Sequence, residues 1–437
     1  MMKKLLLSSA LIASGIVVNA QWVSQATGFA APSRGITNIS IVDPSIVWAS
    51  AYDGSGGTAK IQEFTRTIDG GANWTPGFIN NASQLEISNL FAISADIAWV
   101  SMHGGNSGGG RILKTTDGGL NWVHQTTATF TAPVGFPNVV YFFDEDNGVA
   151  LGDPRGGYYE FYTTTNGGDL WTRVPSLNIP APSSANEYGI VNRYSVVGNT
   201  IWYGTNEGRV YKSVDMGYTW TVAATGLSEI SRVIFKDADN GLFIDGVDIA
   251  SSSDGGATWS PLFYSGDFLE GDIAYATGVT GSMYISTSAA QGASGSSYSL
   301  DDGLTWTLID GIQHTCVAFY DNLTGWSGSF NTNSTENGIL VWNEVALGVI
   351  TAQNDKAIGF YPNPNNGVFS ISLKGKQSGQ TTVTVFDVMG RNIYSSSENY
   401  AGDSFVKTMD ISSFPGGVYF VEVKDATQTY TGKIVKQ

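Results

Sequence analysis

The chain of 437 residues has a formal net charge of −16, 42% hydrophobic residues and 54 glycines. That length supports two or three domains, and so much glycine favours a fold of tight turns over one of helices. Residues 21–357 alone carry 13 basic against 32 acidic residues, a balance that argues against nucleic acid and anionic membranes as partners.

Lys3 and Lys4, the apolar run Leu5 to Val18 and the small-residue ending Val18-Asn19-Ala20 predict a secretory signal over 1–20, cleaved before Gln21. No later apolar run approaches the roughly 18 residues of a membrane span, so no transmembrane segment is expected. The body of the chain is then marked by six near-copies of one phrase. They begin at Thr67, Thr115, Thr164, Ser213, Ser252 and Ser299 and close on Trp74, Trp122, Trp171, Trp220, Trp259 and Trp306. Their third positions, Asp69, Asp117, Asn166, Asp215, Asp254 and Asp301, are separated by 48, 49, 49, 39 and 47 residues, a period that signals a repeat fold. Each phrase suits a hairpin corner. Asp or Asn bonds back onto turn N–H groups, Gly supplies positive φ, and the Trp begins the next strand as a buried anchor. These residues are read as structural.

The phrase resembles the Asp-box, or bacterial neuraminidase repeat, Ser/Thr-x-Asp-x-Gly-x-Thr-Trp. Families that carry it include sialidases, xyloglucan-degrading glycosidases, sortilin-type receptors and photosystem assembly factors, so the resemblance implies a β-propeller without implying one chemistry.

Between the corners, seven strand-turn-strand patterns recur, from Ile36 to Ser50 through to His314 to Ser329, often with an aromatic such as Trp48, Trp99, Trp202 or Trp326 in the second strand. Seven such patterns with six corners leave one outer strand unaccounted for. Gln21 to Thr27 matches Asn121 to Thr127, the stretch entering the strand after the second corner, at four of seven positions. The mature N-terminus is therefore expected to complete a seventh blade beside Gly338 to Asn343, which would remove the open sheet edges. The expectation is an all-β chain: a seven-bladed β-propeller over 21–346, a linker over 347–357, and a small Ig-like β-sandwich over 358–437.

That last segment alternates β-formers with Pro and Gly turns: Phe360 to Phe369 with its Pro-Asn-Pro-Asn-Asn-Gly core, Thr382 to Arg391, Asp410 to Val423, and Gly432 to Gln437. It resembles the type A C-terminal sorting domain of the type IX secretion system of Bacteroidota. The resemblance implies the type IX machinery as a partner, and a destination outside the cell or on the outer-membrane surface.

Chemistry is harder to read. In a meander of four-stranded blades the corners and the short turns such as Asp144 to Gly148 share one end, leaving the longer loops at the other. In Asp-box propellers of known activity that second end holds the ligand. Arg193, Arg232 and His314 enter innermost strands there. With Asp153, Arg155, Glu207 and Arg209 they are the candidate binding residues, a set suited to a carboxylate or sulfate. The same charges would equally serve as structural salt bridges. A sialidase would need an early Arg-Ile-Pro, where this chain has Pro32-Ser-Arg-Gly-Ile36. A glycosidase would need two facing carboxylates, for which Asp153, Glu207, Asp267, Glu270 and Asp272 are available. The runs at Asp144 and Asp237 lack the twelfth-position Glu of a calcium loop, and the three histidines have no ligand spacing, so no metal or cofactor is expected. Cys316 reads as a buried thiol. The expected function is a secreted or cell-surface binding or adhesion module for a glycan, peptide or protein, the alternative a glycan hydrolase with a carboxylate pair on the long-loop face.

Overall fold

A computed structural model describes residues 21–343 and 358–437, apart from short stretches at 83, 105–108, 131–134, 229–231, 279–282, 362, 364, 375–378, 388–390, 401–403 and 425–428. The expected signal at 1–20 and linker at 347–357 lie outside the described residues. The chain divides into two compact units, 1–346 and 347–437.

The first unit is a propeller of four-stranded antiparallel blades, each a meander from an inner to an outer strand. Blade 1 comprises Arg34–Ile41, Val47–Asp53, Glu63–Thr67 and Thr75–Phe78, and blade 2 Glu86–Ala92, Ala98–His103, Gly110–Thr115 and Val123–His124. Blade 3 comprises Pro137–Phe142, Asn147–Gly152, Tyr162–Thr165 and Thr172–Arg173, and blade 4 Gly189–Val197, Thr200–Thr205, Arg209–Ser213 and Thr221–Ala224. Blade 5 comprises Arg232–Phe235, Gly241–Asp245, Asp248–Ser252 and Ser260–Leu262. Blade 6 comprises Asp272–Ala276, Met283–Ser288, Gly295–Ser299 and Thr305–Asp310, with Ser265–Gly266 added parallel to its outer strand. The seventh blade joins the two ends of the unit. Val317–Phe319, Gly325–Asn333 and Glu336–Trp342 are completed by Trp22–Ala26, with Trp22 opposite Trp342 and Val23 opposite Val341.

The six corners share the hydroxyl and backbone bonds of one pattern, and five of them add a bond from the seventh-position side chain. In the first, Thr67 Oγ1 donates to Asp69 Oδ1 at 2.8 Å and accepts from Gly71 N at 2.9 Å. Asp69 in turn accepts from Asn73 N and Asn73 Nδ2, both at 2.8 Å. The fifth position has φ between +86° and +92° in every copy and is always Gly, because that region is nearly closed to a residue with Cβ. The fourth lies at +56° to +72° and admits Met216 and Asp302, since the left-handed well is narrow but accessible to other residues. Each of the first five corners also donates a backbone N–H to the short turn of its own blade, as Gly70 to Ser45 O and Gly118 to Asp96 O, both within 3.0 Å. Corners and short turns therefore occupy one end of the propeller, and the long loops the other.

Blade packing explains the second-strand aromatics. Trp99 stacks on Phe142 of blade 3 at 3.6 Å and donates its indole N–H to Gly167 O. Trp202 does the same with Phe235 of blade 5 at 3.8 Å and Gly255 O. The cross-strand cations Lys114 and Lys212 cover these rings, adding a cation–π attraction. Nearer the axis, polar side chains of one blade accept backbone N–H groups of the next. Asn38 takes Leu90 N, Asn89 takes Val140 N, Asp153 takes Gly189 N, Ser195 takes Phe235 N, Asp272 takes Val317 N and Asn331 takes Arg34 N, at 2.7–3.1 Å. Blades 5 and 6 are joined instead by the Arg232 to Asp272 ion pair.

The second unit is a sandwich of a three-stranded sheet, Ile358–Tyr361, Val368–Lys374 and Ser404–Asp410, and a four-stranded one, Asn392–Tyr400, Gly379–Asp387, Gly417–Lys424 and Thr429–Lys436. Phe369, Ile371, Val385, Phe405, Val421 and Ile434 fill its core. Two asparagines clamp the final strand: Asn363 bonds Lys433 O and Val435 N, and Asn365 N donates to Val435 O.

Two outcomes follow. Trp22 is 4% exposed and packs on His314, Phe319 and Trp342, so Trp22→Ala is expected to lower unfolding free energy by ~3–5 kcal/mol in urea titration. The corner aspartates are held below the usual carboxylate range, chiefly by the seventh-position side chain, Asp254 at about 2. A depressed folded-state value gives stabilisation that is complete above about pH 4 and lost as pH falls towards about pH 2. The melting temperature should therefore fall in that window, and less steeply in Asp254→Asn.

Candidate functional site

Inner strands begin at the long-loop end, so their first residues surround the mouth of the axis. A cavity of about 260 Å³ runs along the axis, lined from Arg232 and Asp272 at the strand starts to Tyr141 and Val196 near the strand ends, with Asn38, Asn192 and Tyr194 between.

The inner strand of blade 4 shapes this cavity. Its register jumps from Gly189 opposite Thr205 to Tyr194 opposite Tyr203, so residues 190–193 bulge where the partner strand supplies Gly204 alone. A bulge re-aims side chains. Asn192 adopts φ +56°, a left-handed conformation that asparagine tolerates better than most residues. It reaches residues of two other blades: Asn38 Nδ2 of blade 1 donates to its Oδ1 at 3.4 Å, and Arg232 Nη1 of blade 5 to its backbone O at 2.9 Å.

Asp272 is the electrostatic pivot. Its side chain is 4% exposed and lies 2.8 Å from Arg232 Nε and 3.6 Å from Arg193 Nη1, while Oδ2 accepts from Val317 N. Two guanidiniums on one carboxylate leave a surplus positive charge beside the cavity. Burial, and then the repulsion of Arg232, brings Arg193 down to about 10, which leaves it cationic at neutral pH. Tyr194 and Tyr141 are pushed up by burial and stay neutral, with ring centres 5.8 Å apart. Cys316 also lines the cavity, its thiol raised to about 12 by burial and then by Asp272. At that value it is no nucleophile.

The seven residues singled out from sequence fall in separate places. Arg193 and Arg232 meet at Asp272. Asp153 lies at the seam of blades 3 and 4, accepting from Asn138 Nδ2 and Gly189 N at 2.7 and 3.1 Å, and burial raises its pKa to about 6. Arg155 is held in the blade 3 loop through its backbone, by Tyr158 O and Arg173 Nη2. Arg209 pairs with buried Glu187 at 2.6 Å, and half-buried Glu207 takes the hydroxyls of Ser183 and Ser184, the Ser183 bond foremost in holding its pKa low. His314 is 1% exposed, 2.8 Å from Ser327 Oγ and 3.0 Å from Asp310 Oδ1. Asp310, His314 and Ser327 follow the order of a hydrolytic triad, but Ser327 is fully buried and donates to Cys316 O at 2.7 Å, so its hydroxyl meets no substrate. Asn192, Asp272 and the two tyrosines gave little signal in the sequence. Only a break in the alternation at Asn192-Arg193 hints at the bulge.

Comparison with known proteins assigns the tail. Residues 359–437 match the family of secretion system C-terminal sorting domains. This sorting domain marks the chain for type IX export, to the medium or the cell surface. Among the described residues no helix is long and apolar enough to cross a membrane. No curated protein matches the chain. Among solved structures it is similar to YCF48 from Cyanidioschyzon merolae, at 18% identity and TM-score 0.52, covering 74% of this chain and 99% of that one. It is also similar to YCF48 bound to D1 peptide, at 16% identity and TM-score 0.50, covering 74% and 96%. At such identities the likeness shows the propeller fold.

Removing the pivot charge should be costly. Asp272→Asn would leave two half-buried guanidiniums facing an amide, and is expected to lose up to about 3 kcal/mol of unfolding free energy by chemical denaturation, solvent taking part of the cost.

Proposed function

We propose that the chain leaves the cytoplasm through a cleaved signal over residues 1–20, passes the outer membrane by type IX export, and acts outside as a binding or adhesion module. Its ligand is a glycan, peptide or protein segment taken up at the long-loop end of a seven-bladed, Asp-box propeller. The observation carrying this reading is the axial cavity. Tyrosine faces, an inward asparagine and a surplus guanidinium charge converge on a space suited to one residue or sugar of a longer ligand. YCF48 has been captured with a peptide, and a peptide end carrying a carboxylate suits the charge here.

One observation favours a second reading, glycan hydrolysis. Asp153, raised to about 6 by burial, falls in the range of a general acid. Against it, Asp153 is committed to Asn138 and Gly189, and Asp272 is neutralised by its arginines. Among the described residues lining the cavity, Asp272 is the one carboxylate.

Full-length protein applied to glycan and peptide arrays should capture a defined ligand, with capture reduced at least about tenfold, roughly 1.4 kcal/mol, in Tyr194→Ala. Capture that survives Tyr194→Ala would contradict the axial site, and release of shortened glycan would move the assignment to hydrolase.

A further inference from the structure

The third corner differs from the other five in a way the turn itself does not require. In those five, the third-position carboxylate uses both oxygens. One accepts the backbone N–H of the seventh position, and the other accepts the side chain of Asn73, Asn121, Thr219, Thr258 or Thr305 at 2.6–2.8 Å. In the third corner both members of that pair are replaced, by Asn166 and Leu170. The turn survives, because Asn166 Oδ1 still accepts from Thr164 Oγ1 and Leu170 N at 2.9 Å. The amide nitrogen of Asn166 is left without a hydrogen-bond partner among the described residues, and Leu170 is 56% exposed.

This altered corner lines a cavity of about 280 Å³ that also includes Thr163, Thr172, Arg173 and Tyr218. The cavity lies beside the short outer strand of blade 3, Thr172–Arg173, and the corner of blade 4 that carries Tyr218. Hydroxyls and an amide supply donors and acceptors, Leu170 and exposed Tyr218 supply an apolar wall, and among the described lining residues there is no carboxylate; the Arg173 guanidinium is engaged elsewhere, donating to Arg155 O and covering Tyr158. We propose that the altered third corner, with Tyr218 of the next blade, forms a second binding site that holds one hexose unit of a glycan. A hexose presents a rim of hydroxyls that donate and accept, and a C–H face that packs on an aromatic ring. An Asp at 166 would be acceptor-only and would spend its second oxygen on a Thr or Asn at 170. The observed pair frees an amide donor and exposes an apolar side chain in the same cavity.

The double variant Asn166→Asp/Leu170→Thr rebuilds the corner of the sibling repeats and should fold at least as stably as the natural chain. Full-length protein is titrated with methyl glycosides of glucose, galactose, mannose and glucuronic acid, read by saturation-transfer NMR and calorimetry. The natural chain is expected to bind at least one of the four, with the rebuilt corner and Tyr218→Ala each weakening it about tenfold or more. Failure of the natural chain to bind all four, or undiminished binding by the rebuilt corner, overturns the site. Array capture at the axial cavity is a separate readout that the rebuilt corner should retain, so the two sites fail independently.

Discussion

Pairing between the first described strand and the last strand of the propeller is the constraint on which the rest depends. Blades 1 to 6 are each contiguous in sequence, and each could in principle form locally. Blade 7 cannot form until Trp22–Ala26 docks on Glu336–Trp342, more than three hundred residues away. Without that strand, Glu336–Trp342 presents an unpaired edge. The pocket holding Trp22, made by His314, Phe319, Trp342 and Ser296 of blade 6, would also be empty. Closure thus joins blade 6 to blade 7 as well as completing blade 7.

Closure also sets the axial site. Six side chains hand a hydrogen bond from one blade to the next, and the Arg232 to Asp272 pair joins blades 5 and 6. The same Asp272 holds Val317 of blade 7 and faces Arg193 of blade 4. Structure and candidate function are therefore not separable at the axis, because the residues that give the cavity its charge are also the stitches of the ring. At the third corner they do separate: the Oδ1 bonds that make the turn are kept, and the second half of the carboxylate's role is given up.

The regular part of the fold was legible because it is written in short-range rules. A glycine at φ near +90° and a hydroxyl two residues before an Asp or Asn recur six times, and the resemblance of Gln21–Thr27 to Asn121–Thr127 points to the strand that completes the set. The tail was legible through its Pro-Asn-Pro-Asn-Asn-Gly run, of which Asn363 and Asn365 clamp the last strand. The axial site was not. Its arginines could be picked out as charges in inner strands, but His314 belongs to a buried network and Arg209 to an ion pair with Glu187. Which charges meet depends on inter-blade distances that no local pattern encodes. Asp272 looked like one carboxylate among many until two guanidiniums were placed against it.

The most direct test is hydrogen exchange of the backbone amides of Trp22 to Ala26 in the exported protein. The account predicts that amides bonded to Glu336–Trp342 exchange as slowly as those of the inner strands, opening only with global unfolding. Exchange of these amides at the rate of unstructured chain, while the blades remain protected, would show a propeller that stands without its first strand.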